Sequence, residues 1–266
     1  MPGVKVTVLG KSPGWQDVDG ACSGYLVEDG DTCVLVDCGS GVFSKLRGAR
    51  DYIGLDAVVI SHMHPDHYFD LVPYACALTY GPRGHGGRGG RGADSGGARR
   101  PRLLVPPDAT QLLRTMTVAG GQPHLFEGAF EIAEYDPAQS VRIGALDLRF
   151  QPVPHYVPTN AVDVRGASGG RFTFGADHGP TDALEDFAAQ TDLLFLEATL
   201  AKVNEHGPRG HLTAAEAGQH AAGCRARRLV LTHMSDELDG DHALAQARRS
   251  FEGPVELARE GAVYEL

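Results

Sequence analysis

His62-Met63-His64-Pro65-Asp66-His67 follows directly on the apolar run Ala57-Val58-Val59-Ile60. Three imidazoles and one carboxylate within six residues are the ligand types that zinc and similar divalent metals take. The alternative is a polar loop with scattered histidines, which the density of ligand-type residues argues against. Residues 57–60 fit a short buried strand. Residues 67–80 place Tyr68, Leu71, Val72, Ala75 and Leu78 on one side of a helix. The motif therefore sits on a strand-to-helix loop. Alternate residues of an extended segment project the same way, so His62 and His64 can share one metal. Pro65 interrupts that alternation and turns Asp66 and His67 toward a neighbouring position. Two adjacent metals are expected rather than one.

Outward from this motif, strand-like runs recur at Val4–Leu9, Gly24–Glu28, Cys33–Asp37, Arg102–Val105, Leu146–Val153, Arg171–Phe174, Leu193–Leu196 and Leu229–Thr232. Helical runs lie near 108–118, 181–190, 213–223 and 241–251. Strands come in quick succession first and helices intersperse later. This order predicts an α/β chain in which two mixed β-sheets pack together with helices outside, a four-layer αββα sandwich. Thr213-Ala214-Ala215-Glu216 fits a capping box, with Thr213 as N-cap. His211, two residues earlier, is thereby held at a helix N-terminus, where the dipole favours an anion such as phosphate.

The chain has 266 residues, 42% of them hydrophobic, and is read as one domain over 1–266. No apolar stretch reaches the length of a membrane span, and no long apolar region marks a signal peptide, so no membrane association is expected. Five cysteines form no CxxC pair and leave an odd count, which points to a reduced, cytoplasmic setting. A net charge of −10 disfavours a general nucleic-acid surface. Residues 81–102 break the pattern, with six arginines against one aspartate in a glycine-rich stretch. They read either as a disordered insertion or as a flexible basic arm making a weak RNA contact.

A dinuclear site needs about seven protein ligands and a bridging water. Polar residues that follow strand-like runs supply further candidates: His155 in PVPHYVP, Asp177 in FTFGADHG, His233 in LVLTHMS and Asp37 in VLVDCGSG. Each has a plainer reading, as a loop histidine, a turn former, a strand cap and the start of a Gly-rich turn respectively. His178 adjoins Asp177 and is read as a non-ligand. His85, His124, His206, His220 and His242 are read as surface or loop residues.

These residues in this order resemble the metallo-β-lactamase-fold hydrolases. HMHPDH at 62–67, VDCGSG at 36–41, FLEAT at 195–199, GHLTAAEAG at 210–218 and LTHMS at 231–235 together resemble the ribonuclease Z-like and cyclic-nucleotide phosphodiesterase-like branch. The resemblance implies that His62, His64 and His155 hold one metal, and that Asp66, His67 and His233 hold the other. Asp177 would bridge them, and Asp37 would orient a ligand histidine. Two divalent ions are implied, zinc before manganese or iron, in a homodimer. Glu197 matches the glutamate of the family's HEAT motif, and His211 matches a histidine that faces the scissile phosphate. Leu196 stands where that motif has histidine, so a Glu–His relay within the motif lacks one partner. Only 21 residues separate His155 from Asp177, which leaves no room for the long arm with which many ribonuclease Z enzymes grip transfer RNA.

The expected activity is hydrolysis of a phosphodiester in a small, cyclic or linear, nucleotide by metal-bound hydroxide. Asp66, His211 and Glu197 are the candidate catalytic residues, with His211 as proton donor to the leaving oxygen. Alternatives are a ribonuclease Z-like endonuclease trimming transfer-RNA 3′ ends, a lactonase or thioesterase, and a non-catalytic metal- or RNA-binding scaffold.

Overall fold

Strand alternation sets the layering. In β3 (Thr32–Val36), Val34 and Val36 face one apolar cluster while Cys33 and Leu35 face another. In β11 (Leu193–Glu197), Leu193 and Phe195 join the first cluster while Leu194 and Leu196 join a third. A strand that is apolar on both faces must be covered on both, so each sheet lies between its partner sheet and a layer of helices. The computed structural model describes residues 3–84, 100–203 and 209–266, and within them it has the predicted four layers.

The first sheet contains β1 (Lys5–Gly10), β2 (Gly24–Asp29), β3, β4 (Ala57–Val59), β5 (Arg102–Val105), β6 (Glu131–Glu134) and β14 (Val263–Glu265), in the order β14-β1-β2-β3-β4-β5-β6. The second contains β7 (Val141–Ile143), β8 (Leu146–Val153), β9 (Thr159–Gly166), β10 (Arg171–Phe174), β11, β12 (Leu229–Thr232) and β13 (Val255–Leu257), in the order β13-β12-β11-β10-β9-β8-β7. Strands β3 to β6 run parallel, as do β10 to β13. Between the sheets Tyr25, Phe172, Phe174 and Phe195 pack ring against ring, with centroids 4.8–6.4 Å apart. Helices α1 (Val42–Ala49), α3 (Leu71–Tyr80), α4 (Ala109–Ala119) and α5 (Leu125–Ala129) cover the first sheet. Helices α6 (Ala183–Phe187), α7 (Ala214–Gly223) and α8 (Gly240–Ala247) cover the second.

Several expectations change in detail. The helix expected over 67–80 is two helices, α2 (Pro65–Tyr68) and α3. The Cys38 N–H donates to the His67 carbonyl and the Asp70 N–H to the Cys38 carbonyl, so the bonds that would carry one helix into the next are diverted. The expected helix at 181–190 shrinks to α6. α1, α5, β6, β7, β9, β13 and β14 were not anticipated. The glycine–arginine segment falls largely on residues 85–99, which with His206 lie outside the described residues.

Candidate metal centre

All the predicted ligand residues lie at one edge of the sandwich, on loops leaving the C-terminal ends of β4, β8, β10 and β12. The edge is stitched across the sheets. The Asn160 N–H donates to the Ser61 carbonyl at 3.1 Å, His62 bridges to Thr159, and the Tyr25 hydroxyl meets Thr232 Oγ1 at 2.7 Å.

The predicted ligand atoms fall into two groups, beside which Glu197, His211 and His233 form a third cluster of possible ligand atoms. His62, His64, His155 and Asp177 form one, and Asp66, His67, His233 and Asp177 form the other, all atoms in each within 4.8 Å of one another. Asp177 is common to both. Its Oδ2 lies 3.9 Å from His62 Nε2 and His155 Nε2, 3.4 Å from His67 Nε2 and 3.3 Å from His233 Nε2. In the first group His64 Nδ1 lies 3.1 Å from His62 Nε2 and 3.0 Å from His155 Nε2. In the second, Asp66 Oδ2 is 3.1 Å from His233 Nε2 and 3.5 Å from His67 Nε2.

Outer contacts fix which nitrogen faces inward. Buried Asp37 accepts from the Ser61 N–H at 2.8 Å, the Ser61 hydroxyl at 2.9 Å and His67 Nδ1 at 2.7 Å. With its proton committed to Asp37, the Ser61 hydroxyl accepts from His62 Nδ1 at 3.1 Å. The Gly210 carbonyl accepts from His155 Nδ1 at 2.6 Å. Thr199 Oγ1 donates to Glu197 Oε2 at 2.6 Å and accepts from His233 Nδ1 at 2.8 Å. Four histidines thus point Nδ1 at an outer acceptor and Nε2 at the centre, the arrangement typical of metal-ligating imidazoles.

The residues fit a pair of cations. His67 Nε2 and Asp177 Oδ1 are buried with no hydrogen-bond partner, a cost of about 1–3 kcal/mol each unless something else satisfies them. Burial pulls the His62 pKa well below the ordinary imidazole range and that of His155 to about 4, so both stay neutral with lone pairs free. Burial opposes charge on His67 too, but the Asp177 and Asp37 carboxylates outweigh it and push its pKa well up. The second position therefore favours positive charge. Burial would raise Asp177, yet His233 and His67 hold it well below the carboxylate range.

Local backbone serves the same end. Asp37, Ala176 and His233 hold φ values of 59°, 55° and 54°, a left-handed geometry uncommon outside glycine. A Cβ on Gly39 would come within 1.8 Å of the Asp66 carbonyl oxygen, so glycine alone lets this loop lie against the Asp66 turn.

His211 and Glu197 complete the arrangement. His211 Nδ1 is 2.9 Å from Glu197 Oε1 and 3.9 Å from Asp177 Oδ2. Burial lowers the His211 pKa, but the Glu197 hydrogen bond and charge outweigh it, and the net direction is upward. The capping box is present as expected, Thr213 with Glu216. The missing HEAT histidine does not break this pair. Leu196 faces the helix-side core, on the opposite face of β11 from Glu197, whose partner comes instead from the loop before α7. His178 stands outside the ligand groups. Its N–H donates to Glu197 Oε1 at 2.9 Å, and its ring packs 5.5 Å from that of His220. His220, expected at the surface, is thus partly buried on α7, because that helix lies over the second sheet. His124 and His242 are exposed as expected. Ser61, Thr199 and Gly210 were not anticipated, and their only signal was adjacency to a motif residue.

Residues 32–234 match the family model of the beta-lactamase superfamily domain. The probable metallo-hydrolase YhfI of Bacillus subtilis is 31% identical over 262 residues, covering 98% of this chain and 100% of that protein. The crystal structure of the metallo-beta-lactamase fold protein YhfI from the same organism superposes with a TM-score of 0.86 at 28% identity, covering 99% and 100%. A ribonuclease Z of Myxococcus xanthus is 28% identical over 316 residues, covering 99% and 98%.

Proposed function

We infer the activity of this chain from the family to which it belongs, the β-lactamase superfamily, and from its site; it is a metallo-β-lactamase-fold hydrolase. The proposed reaction is hydrolysis of a phosphodiester in a small nucleotide, 3′,5′-cyclic nucleotides included. One observation carries this proposal: His211, held by buried Glu197, stands beside the carboxylate common to both ligand groups.

In this proposal His62, His64, His155 and Asp177 hold one divalent ion, and Asp66, His67, His233 and Asp177 hold the other. Zinc suits these nitrogen and oxygen ligands, as do manganese and iron. Such ions would neutralise charge on the phosphoryl oxygens and lower the pKa of a water between them. The chain's own residues supply the rest. Asp66 remains ionised, since burial raises its pKa but His233 and His67 outweigh that and the net direction is downward. It therefore orients the attacking water rather than acting as a strong base. The attacking water loses one proton to solvent; as its oxygen bonds to phosphorus, the bond to the leaving oxygen breaks, and protonated His211 donates its proton there and is reprotonated from solvent. Glu197 holds the His211 ring in place and stabilises its charge. Such proton donation contributes roughly 10²–10⁴ in rate.

A second reading, trimming of transfer-RNA 3′ ends, is supported by the likeness to the Myxococcus ribonuclease Z. The net charge of −10 counts against it, since RNA affinity rests largely on phosphate neutralisation. Purified protein loaded with Zn²⁺ or Mn²⁺ should be assayed on bis-p-nitrophenyl phosphate, 3′,5′-cyclic AMP and a precursor transfer RNA. Turnover of the first two above the third is expected. Cleavage of the transfer RNA alone would favour the second reading, and inertness toward every phosphodiester would sink both.

A further inference from the structure

We propose that Tyr156 is a specificity-determining residue: an aromatic platform at the mouth of the metal centre on which the base of a nucleotide substrate stacks. This deepens the phosphodiesterase reading and rests on it. Tyr156 follows the predicted ligand His155 in the turn between β8 and β9. Pro152, Pro154 and Pro158 bracket it and limit the backbone of that turn. Tyr156 is 61% exposed, and its ring packs against the site. Its centroid lies 5.0 Å from that of His155 and 5.8 Å from that of His211. It also lies across Gly210, where an added Cβ would meet ring carbons Cε2, Cδ2 and Cζ at 2.6–2.8 Å.

Gly210 thus has two tasks. Its carbonyl holds His155 Nδ1, and its bare Cα gives the Tyr156 ring a seat. The hydroxyl makes no hydrogen bond among the described residues. What this tyrosine offers solvent is therefore a ring face and a free hydroxyl, beside His155 and His211. A rigid exposed aromatic loses little conformational entropy when a flat ligand covers it. Stacking of a base on such a ring is sequence-tolerant and alters affinity by about fivefold to a hundredfold on truncation to alanine. At a partly open site about tenfold is expected. A phosphodiester substrate carries its base within a few ångströms of its phosphate, which suits a platform adjoining His211.

The test compares ligands with and without a base. Binding of AMP and of ribose 5-phosphate to the metal-loaded protein should be measured by calorimetry for wild type, Tyr156→Ala and Tyr156→Phe. Bound metal and melting temperature should be checked for each. Wild type should prefer AMP, Tyr156→Ala should lose about tenfold of that preference, and Tyr156→Phe should keep it. In turnover of 3′,5′-cyclic AMP, Tyr156→Ala should raise KM with little change in kcat. An AMP to ribose 5-phosphate ratio that is the same in wild type and Tyr156→Ala overturns the platform. So does a Tyr156→Phe protein that loses as much as Tyr156→Ala, since the hydroxyl would then be the contact. Should AMP binding depend on Tyr156 while no phosphodiester is hydrolysed, the platform stands and the phosphodiesterase reading falls.

Discussion

The two sheets meet at the metal centre by different means. The first supplies His62, His64, Asp66 and His67 from one short segment, the loop after β4 and the helix α2 that follows, with Asp37 behind them on a neighbouring strand end. The second supplies one residue at a time: His155 after β8, Asp177 after β10, Glu197 on β11 and His233 after β12. A single loop can be shaped by local rules. A dispersed set is placed by sheet order and by the cross-sheet bonds that align the two edges. Each residue of the local cluster belongs to one of these two ligand groups, whereas Asp177, alone on its strand, serves both.

The largest effect should separate these two contributions. Asp177→Ala should empty both positions, reduce bound metal below one per chain by elemental analysis and lower turnover by at least about 10³-fold. His64→Ala should lose turnover too, but retain metal at the second position. Equal metal loss from the two variants would erase the distinction between local and shared ligands.

His211→Ala comes next. Turnover should fall about 10²–10⁴-fold while metal content stays at the wild-type value. Full activity would remove the proton-donor role. A smaller effect concerns pH. In the proposed mechanism the protonated form of His211 is the active one, so activity should hold below its raised pKa and decline as pH rises through it. In Glu197→Gln the outweighing charge is gone and burial still lowers the pKa. The alkaline limb of the kcat profile should then move to lower pH, and an unmoved limb would show that Glu197 does not set the charge of His211.

The smallest effect tests the stitching. Tyr25 on the first sheet bonds Thr232, the residue before His233, on the second. Tyr25→Phe should cost about 1 kcal/mol in urea denaturation with little change in bound metal. A large fall in metal affinity would mean that this cross-sheet bond, rather than the His233 backbone, sets the ligand geometry.

The elements missed from sequence have a common physical cause. β9 carries Asp163, a charge that reads as loop. In the fold that carboxylate is fully buried and held by Arg149 at 2.7 Å, Arg171 at 2.6 Å and Thr173 at 2.7 Å. These three partners sit on other strands, where no local pattern could reveal them. α1 begins at Gly41 with φ 90°, and its buried face of Val42, Phe43 and Leu46 is too short to outweigh the glycines around it. The doubt over the Glu–His relay arose in the same way. The partner of Glu197 lies 14 residues further on, at the start of a different element.

Composition, strand alternation and the clustered imidazoles pointed to the αββα layering and to the 62–67 cluster, because both follow from short-range periodicity and residue chemistry, whereas His155, Asp177 and His233 were strand-end candidates that the family resemblance joined to it. The tertiary structure decided what lies between them: that Asp177 Oδ2 stands 3.3–3.9 Å from four imidazole nitrogens, that Nε2 faces inward on four histidines, and that Glu197 partners His211. Those facts depend on distances between segments far apart in the chain, and such distances are fixed only when two sheets bury their inner faces against each other.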